Sequence, residues 1–248
     1  MKIGVSSLAL YPDSLGDILS FLENIKVEYC EIINEYPYHK VDSAITNSYN
    51  VKILIHAPLS DINLASSNYA IRKASISQIK NSIETASNMD SNIVVVHPGT
   101  TSVIATKFKD KVHKDCISSL KECSKYADEY GIDMCVENMP NINGFLCQDI
   151  GELQKLADEI DSSITMDVGH AHTNKFNIED MLSLKRIKHI HLSDNNGSYD
   201  SHNALGSDEI DFKSLINRLR RLNYKRVLTV EVKNKEEVLK SHEYLDKI

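Results

Sequence analysis

Metal-capable side chains end six short apolar segments of this sequence. The segments are rich in β-branched residues, and they end in His56, His97, Glu137, Asp167, His191 and Glu231. Three further side chains of the same kind, His170, Asp200 and His202, are expected in the loops immediately after two of these segments. Imidazole and carboxylate ligands together suit Zn, Mn, Co or Fe, whereas Mg alone rarely collects so many imidazoles. The pattern therefore predicts one metal site built from several strands.

Eight strands alternating with helices would position these side chains. The strands are predicted at 2–7, 27–33, 51–56, 92–97, 132–137, 163–167, 187–192 and 226–232. Apolar periodicity predicts helices near 18–25, 40–49, 71–86, 108–130, 150–160, 179–184, 211–222 and 235–246. The continuous apolar run at 93–96 is typical of a strand buried on both faces, which favours a parallel sheet.

This alternation, without a linker or a low-complexity segment, predicts an α/β fold: a (β/α)8 TIM barrel that forms a single domain over residues 1–248. An open doubly wound sheet is the alternative, but it would need a glycine-rich phosphate loop after the first strand, and 4–7 is not one. Active sites of such barrels lie at the carboxyl ends of the strands. The nine metal-capable side chains are therefore expected on one rim.

Each of these residues also has a simpler interpretation. A single histidine at a strand end is often the hydrogen-bond partner of a neighbouring loop, and a single carboxylate is often a helix cap. Nine such residues on one rim favour a metal centre over nine separate structural roles. Four other histidines that do not end a strand, His39, His113, His189 and His242, are interpreted as surface or structural residues.

Composition sets further limits. The chain is 42% hydrophobic and 25% charged, as in ordinary globular proteins. The formal net charge of −7 gives no general attraction to nucleic acid or anionic membranes, although bound divalent metal can reverse the local field. Because no apolar run is long enough to span a bilayer and no signal peptide pattern is present, we expect a cytoplasmic protein with no membrane partner. Its five cysteines are expected to be reduced.

Several motifs carry a resemblance to a known family. They are His56-Ala57-Pro58, Asn63-Leu64-Ala65-Ser66, Val96-His97-Pro98-Gly99, Val136-Glu137-Asn138-Met139, Met166-Asp167-Val168-Gly169-His170, His191-Leu192-Ser193-Asp194-Asn195 and Asp200-Ser201-His202. Together they resemble the xylose-isomerase-like TIM-barrel superfamily, which contains sugar and sugar-phosphate isomerases and epimerases and also endonuclease IV of AP endonuclease family 2. The resemblance covers nearly the whole chain and is more specific to the superfamily than to one activity.

The isomerase and epimerase pattern implies one divalent metal held by Glu137, Asp167, His191 and Glu231. The metal would polarise a sugar carbonyl and stabilise an ene-diolate, while Glu137 and Glu231, as catalytic residues on opposite sides of the sugar, would remove and return a proton.

The endonuclease IV pattern implies three zinc ions and attack of a metal-bound hydroxide on phosphorus in abasic DNA. The first ion would be held by His56, His97 and Glu137, the second by the four residues of the isomerase pattern, and the third by His170, Asp200 and His202. All nine positions are filled in this sequence.

Other features favour the sugar enzyme. In endonuclease IV the loop after the position of His56 carries a bulky pair that probes the DNA stack, whereas here Leu59 is the one candidate wedge. The chain has no Trp, 6% aromatic residues and no long basic stretch for gripping DNA. The loop at 194–206, followed by Ile210-Asp211-Phe212, resembles the sugar-isomerase-like branch.

We therefore predict a divalent-metal-dependent isomerase or epimerase of a small sugar, polyol or sugar phosphate, with an endonuclease-IV-like phosphodiesterase as the alternative and a metal-binding barrel without turnover as a third hypothesis. Zinc is the first expected cofactor, with one to three ions, and Mn, Co or Mg remain open. The sequence leaves the oligomeric state open.

Overall fold

The strands form where β-branched and other apolar residues cluster, and they close into a barrel. The computed structural model describes all 248 residues. Its strands are β1 (Lys2–Ser6), β2 (Tyr29–Ile33), β3 (Lys52–His56), β4 (Ile93–Val96), β5 (Asp133–Glu137), β6 (Ser163–Asp167), β7 (Ile187–Leu192) and β8 (Val227–Val230). Each pairs in parallel with the next, and β8 pairs with β1 in the register Ile3↔Leu228. The predicted (β/α)8 barrel is confirmed, and the open doubly wound sheet is excluded.

The chain has nine helices, of which eight lie between strands and one follows β8. They are α1 (Leu15–Asn24), α2 (Ser43–Thr46), α3 (Tyr69–Asn88), α4 (Lys109–Glu129), α5 (Ile150–Ile160), α6 (Val168–Thr173), α7 (Ile178–Ser183), α8 (Phe212–Arg221) and α9 (Lys235–Asp246). Side-chain caps start several of them: Ser14 accepts from Asp17 N, and Asp211 accepts from Ser214 N. Such caps satisfy amide groups that have no partner within the helix.

Two helices differ from the prediction. The helix expected near 40–49 is a single turn. It begins only after its N-cap Asp42, and it ends early because the polar stretch 47–50 favours turns over helix. The segment after β6 was predicted as a loop, but it forms α6. Its N-cap is Asp167, whose carboxylate accepts from His170 N at 2.6 Å.

The barrel interior is layered, since alternate residues of each strand point inward. One part of the filling is an apolar cluster that includes Tyr29, Leu54, Val95, Cys135 and Val227. Glu31 of β2, His189 of β7 and Thr229 of β8 are buried polar residues that contact one another in the interior. A larger core lies between the strands and the helices.

All five cysteines are buried and unpaired. No helix has the length and apolar character needed to cross a bilayer.

Candidate metal centre

The nine predicted side chains meet at the carboxyl ends of the strands in three groups. The groups are His56, His97 and Glu137; Glu137, Asp167, His191 and Glu231; and His170, Asp200 and His202. Within each group one donor atom per residue lies within 4.8 Å of all the others. Glu137 belongs to two groups, and His170 Nδ1 of the third group lies 3.4 Å from Glu137 Oε1, so the three form one continuous centre.

The central group is the most buried. His191 Nδ1 lies 3.2 Å from Glu137 Oε1, 3.1 Å from Glu231 Oε2 and 3.7 Å from Asp167 Oδ2. The four side chains come from β5, β6 and β7 and from the residue directly after β8. Three carboxylates around one imidazole make a strongly anionic pocket.

The second group uses the other oxygen of Glu137. His56 Nε2 and His97 Nε2 each lie 3.3 Å from Glu137 Oε2. His56 ends β3, and His97 follows β4. Glu137 therefore faces both groups, with one oxygen directed at each.

The third group lies at the edge of the centre. His202 Nε2 and His170 Nε2 approach Asp200 Oδ2 to 2.9 and 3.2 Å. His170 was expected in a loop but stands on α6, where the N-cap Asp167 fixes the first turn. His202 lies in the loop after β7, with a φ of 46°.

Backbone carbonyls orient three of these imidazoles. His56 Nδ1 donates to Ala57 O at 2.7 Å, His170 Nδ1 to Asn138 O at 2.8 Å, and His202 Nδ1 to Glu231 O at 2.6 Å. A carbonyl can only accept, so each Nδ1 carries the proton and each Nε2 can present its lone pair to a cation.

The donor set fits a cation. Asp167 Oδ2 and Asp200 Oδ1 are buried oxygens without a hydrogen-bond partner. Burial, together with repulsion from Glu137 and Asp200, raises the pKa of Asp167 to about 6 despite the nearby histidines. Buried polar groups are normally paired, so the two free oxygens and the surplus of carboxylates are compatible with a bound divalent cation.

Asp194 holds the loop that carries Asp200 and His202. Its buried carboxylate accepts from the backbone amides of Asn195, Gly206, Asp208 and Ile210 at 2.9–3.1 Å. Its own backbone also pairs with Asn203 in both directions. The Asp194 carboxylate therefore binds both ends of the loop, at Asn195 and at Ile210.

Sequence reasoning missed two buried residues beneath the centre. His189 was placed among the surface or structural histidines and proves to be fully buried, and Glu31 was not singled out at all. The signal was the His189-Ile190-His191 spacing, which puts both imidazoles on the same face of β7. His39 and His113 are exposed, and His242 is half-buried.

The comparisons with known proteins agree with this architecture. A family model described as a xylose isomerase-like TIM barrel matches residues 20–248. The uncharacterized protein MJ1311 of Methanocaldococcus jannaschii is 34% identical over 258 residues, which cover 99% of this chain and 88% of that protein. A probable endonuclease 4 of Thermoplasma volcanium is 24% identical over 201 residues, which cover 74% of this chain and 65% of that protein.

Solved structures are similar over the full chain. The crystal structure of a D-tagatose 3-epimerase-like protein has a TM-score of 0.91 at 33% identity and covers 100% of this chain and 96% of that one. The D-psicose 3-epimerase of Clostridium cellulolyticum H10, solved with D-tagatose, has a TM-score of 0.83 at 15% identity and covers 100% of this chain and 98% of that one, a likeness of fold alone. The chain belongs to the xylose isomerase-like TIM barrel family.

Proposed function

We propose that the protein is a divalent-metal-dependent epimerase or isomerase of a small sugar, polyol or sugar phosphate, with a ketose as the first substrate to test. The observation that carries the proposal is the buried central group, in which Glu137 and Glu231 both face His191 Nδ1 at about 3 Å. The 33% identity to the D-tagatose 3-epimerase-like protein supports the same class of reaction.

Glu137, Asp167, His191 and Glu231 would hold the ion, for which zinc is our first choice and Mn, Co or Mg are alternatives. When bound, the ion would supply a Lewis acid that acidifies the carbon next to a sugar carbonyl.

Glu137 and Glu231 would move the proton. Burial would raise the pKa of each carboxyl, but His191 and the hydrogen bonds it makes bring the pKa of Glu137 well below its ordinary value and also lower that of Glu231. Both are therefore carboxylates at neutral pH, so either can accept a proton. One carboxylate would remove the proton from one face of the carbon, and the other, after taking up a proton from solvent, would deliver it to the opposite face, which inverts the configuration.

A small cavity at the same mouth suits a small polar substrate. Its volume is about 270 Å³, and Ser7, Tyr11, Tyr36 and Tyr38 are among its lining residues. Ser7 follows Ser6, whose hydroxyl donates to Glu231 Oε1 at 3.4 Å. Tyrosines offer apolar ring faces together with hydroxyl groups, a combination that matches a polyol.

The second candidate is a trinuclear zinc phosphodiesterase acting on abasic DNA. The observation that favours it is that two further groups of metal-capable side chains are complete. They are His56, His97 and Glu137, and His170, Asp200 and His202. In that case the outer histidines would bind two further ions, and the chain would cleave a phosphodiester.

The test is elemental analysis of protein purified without added metal or chelator, followed by a panel of ketoses and ketose phosphates and an abasic-site oligonucleotide. We expect metal in the purified protein and a change of configuration in at least one ketose. Three zinc ions per chain with cleavage of the oligonucleotide and no change in any sugar would contradict the proposal and establish the second candidate.

A further inference from the structure

Glu31 is a fully buried carboxylate for which the proposed mechanism has no use. It projects from the middle of β2 into the barrel, one layer below the metal-capable side chains. Its Oε1 lies 2.9 Å from His191 Nε2, and its Oε2 lies 2.6 Å from His189 Nε2. Thr229 Oγ1 donates to the same Oε2 at 2.8 Å. A buried charge with this many partners holds a defined geometry.

His191 is oriented differently from the other imidazoles of the centre. His56, His170 and His202 are fixed through Nδ1 by backbone carbonyls and present Nε2. His191 presents Nδ1 to the carboxylates of the central group, and its Nε2 faces Glu31. At His191 the Glu31 carboxylate thus takes the place that a backbone carbonyl has at the other three imidazoles, and Nδ1 rather than Nε2 faces the centre.

We propose that Glu31 is the positioning residue of the metal centre. It accepts the Nε2 proton of His191, which fixes the ring and leaves the Nδ1 lone pair directed at the central group. A carboxylate in this place also makes the imidazole a better electron donor. His189 holds the other oxygen of Glu31 and so restricts rotation of the carboxylate. The inference rests on the metal centre of the proposed function and adds to it the residue that determines which nitrogen binds.

A separate ion held by Glu31, His189 and His191 explains the geometry less well. Donor atoms of these residues do lie within 4.8 Å of one another. However, the separations of 2.6 and 2.9 Å are those of charge-assisted hydrogen bonds, which need no ion between the atoms.

The direct test uses wild-type protein labelled with ¹⁵N-histidine and loaded with ¹¹³Cd, read by NMR. We expect cadmium coupling to Nδ1 of His191 and a bound proton on its Nε2. Coupling to Nε2, or an Nε2 without a proton, would overturn the inference. This spectrum requires no variant to fold.

Glu31→Gln tests the energetic consequence. Glutamine has one acceptor oxygen for two imidazoles, so we expect the affinity for Cd²⁺ or Zn²⁺ at the site containing His191, measured by chelator competition, to fall by about 10- to 100-fold. Thr229→Val is the matched control, because it removes a buried hydrogen bond to Glu31 Oε2 and leaves the Oε1 contact with His191 in place. It should bind metal as wild type does. Equal losses in both variants, or an unchanged affinity in Glu31→Gln, would reduce Glu31 to a structural residue.

The two proposals fail in different ways. Wild-type protein that binds metal through His191 Nδ1 but changes no sugar would contradict the proposed function and leave the role of Glu31 standing. A protein that epimerises a sugar but whose metal affinity is unchanged by Glu31→Gln would support the proposed function and contradict the role of Glu31. Wild-type protein that binds no divalent metal would overturn both.

Discussion

Glu231 combines two roles in one side chain, since it belongs to the central group and is a candidate to transfer the proton. Glu231→Gln keeps the size of the side chain but removes its charge and its basicity. We expect turnover of the sugar substrate to fall by at least about a hundredfold, while the melting temperature stays near that of wild type. Steady-state kinetics and elemental analysis check this. Full turnover with full metal content would remove Glu231 from the mechanism.

His202 separates the two enzyme hypotheses, because it lies outside the central group. If the protein is an epimerase that works through the central group, His202→Ala should leave that metal in place and keep kcat within about tenfold, with any further loss in KM. If the protein is a trinuclear phosphodiesterase, the same variant should lose one ion per chain and most of its activity. Metal content and the split between kcat and KM, measured on one preparation, distinguish the two results.

The pKa values of His170 and His202 determine how the stability of metal-free protein should depend on pH. Burial lowers the pKa of His170, but neighbouring carboxylates, Asp167 and Asp200 among them, outweigh burial and raise it to about 10. Burial is likewise outweighed at His202, where Asp200 and Glu231 raise the pKa to about 9. The ordinary value, that of the unfolded chain, is about 6.5. Because the folded pKa is the higher one, this stabilisation is complete below about pH 6.5 and is lost as pH rises through about 9 to 10.

Melting temperatures of metal-free protein between pH 6.5 and 10 test this dependence. The wild type should lose stability across that range, and His170→Gln should show a shallower slope because it lacks one of the titrating groups. His113→Gln is the control, since His113 lies at the surface away from the centre, and its slope should match wild type. Identical slopes in all three proteins would refute the assignment.

Among the elements, the loop after β7 depends most on a single side chain. Asp194→Asn replaces a carboxylate that accepts four backbone amides with an amide that presents N–H groups to some of them. We expect the free energy of unfolding in urea to fall by about 2–3 kcal/mol. Glu209→Gln, in the same loop but exposed, should change it by less than about 0.5 kcal/mol. A stable Asp194→Asn protein would mean that the loop is held by other contacts.

Most elements could be predicted from the sequence, because the strands are continuous apolar runs and the long helices show clear periodicity. α6 could not, since its six residues form a helix only when Asp167 caps the first turn at the end of β6. The length of the four-residue α2 was overestimated for the opposite reason. Its apolar residues suggested a longer helix, but the polar residues on either side do not extend it.

The nine metal-capable residues could be predicted to share one rim because each stands at or just beyond the end of a strand. Glu31 could not, because it lies in mid-strand. Whether such a residue faces the barrel interior or the helices depends on the strand register, and a one-residue shift reverses it. In a strand buried on both faces the apolar pattern does not reveal that register. Its partnership with His189 and His191 exists only once β2 and β7 face each other across the closed barrel.

At the scale of the whole molecule, the barrel supplies rigidity that loops alone could not. The central group draws its ligands from β5, β6 and β7 and from the end of β8, so closure of the sheet determines the distances among them. The donors reach the mouth from fixed strands, and the layer with Glu31 supports them from below. Sites built on strands in this way keep the precise geometry that proton transfer requires.

Hydrogen exchange at the sugar carbon tests the proposed chemistry most directly. Wild-type protein loaded with Zn²⁺, Mn²⁺ or Co²⁺ is incubated with each ketose in D₂O, and the sugars are read by NMR. We predict that solvent deuterium enters at the carbon whose configuration changes and that Glu231→Gln incorporates none. Metal-loaded wild-type protein that exchanges no carbon-bound hydrogen in any ketose, while it cleaves DNA at an abasic site, would contradict the assignment as a sugar epimerase.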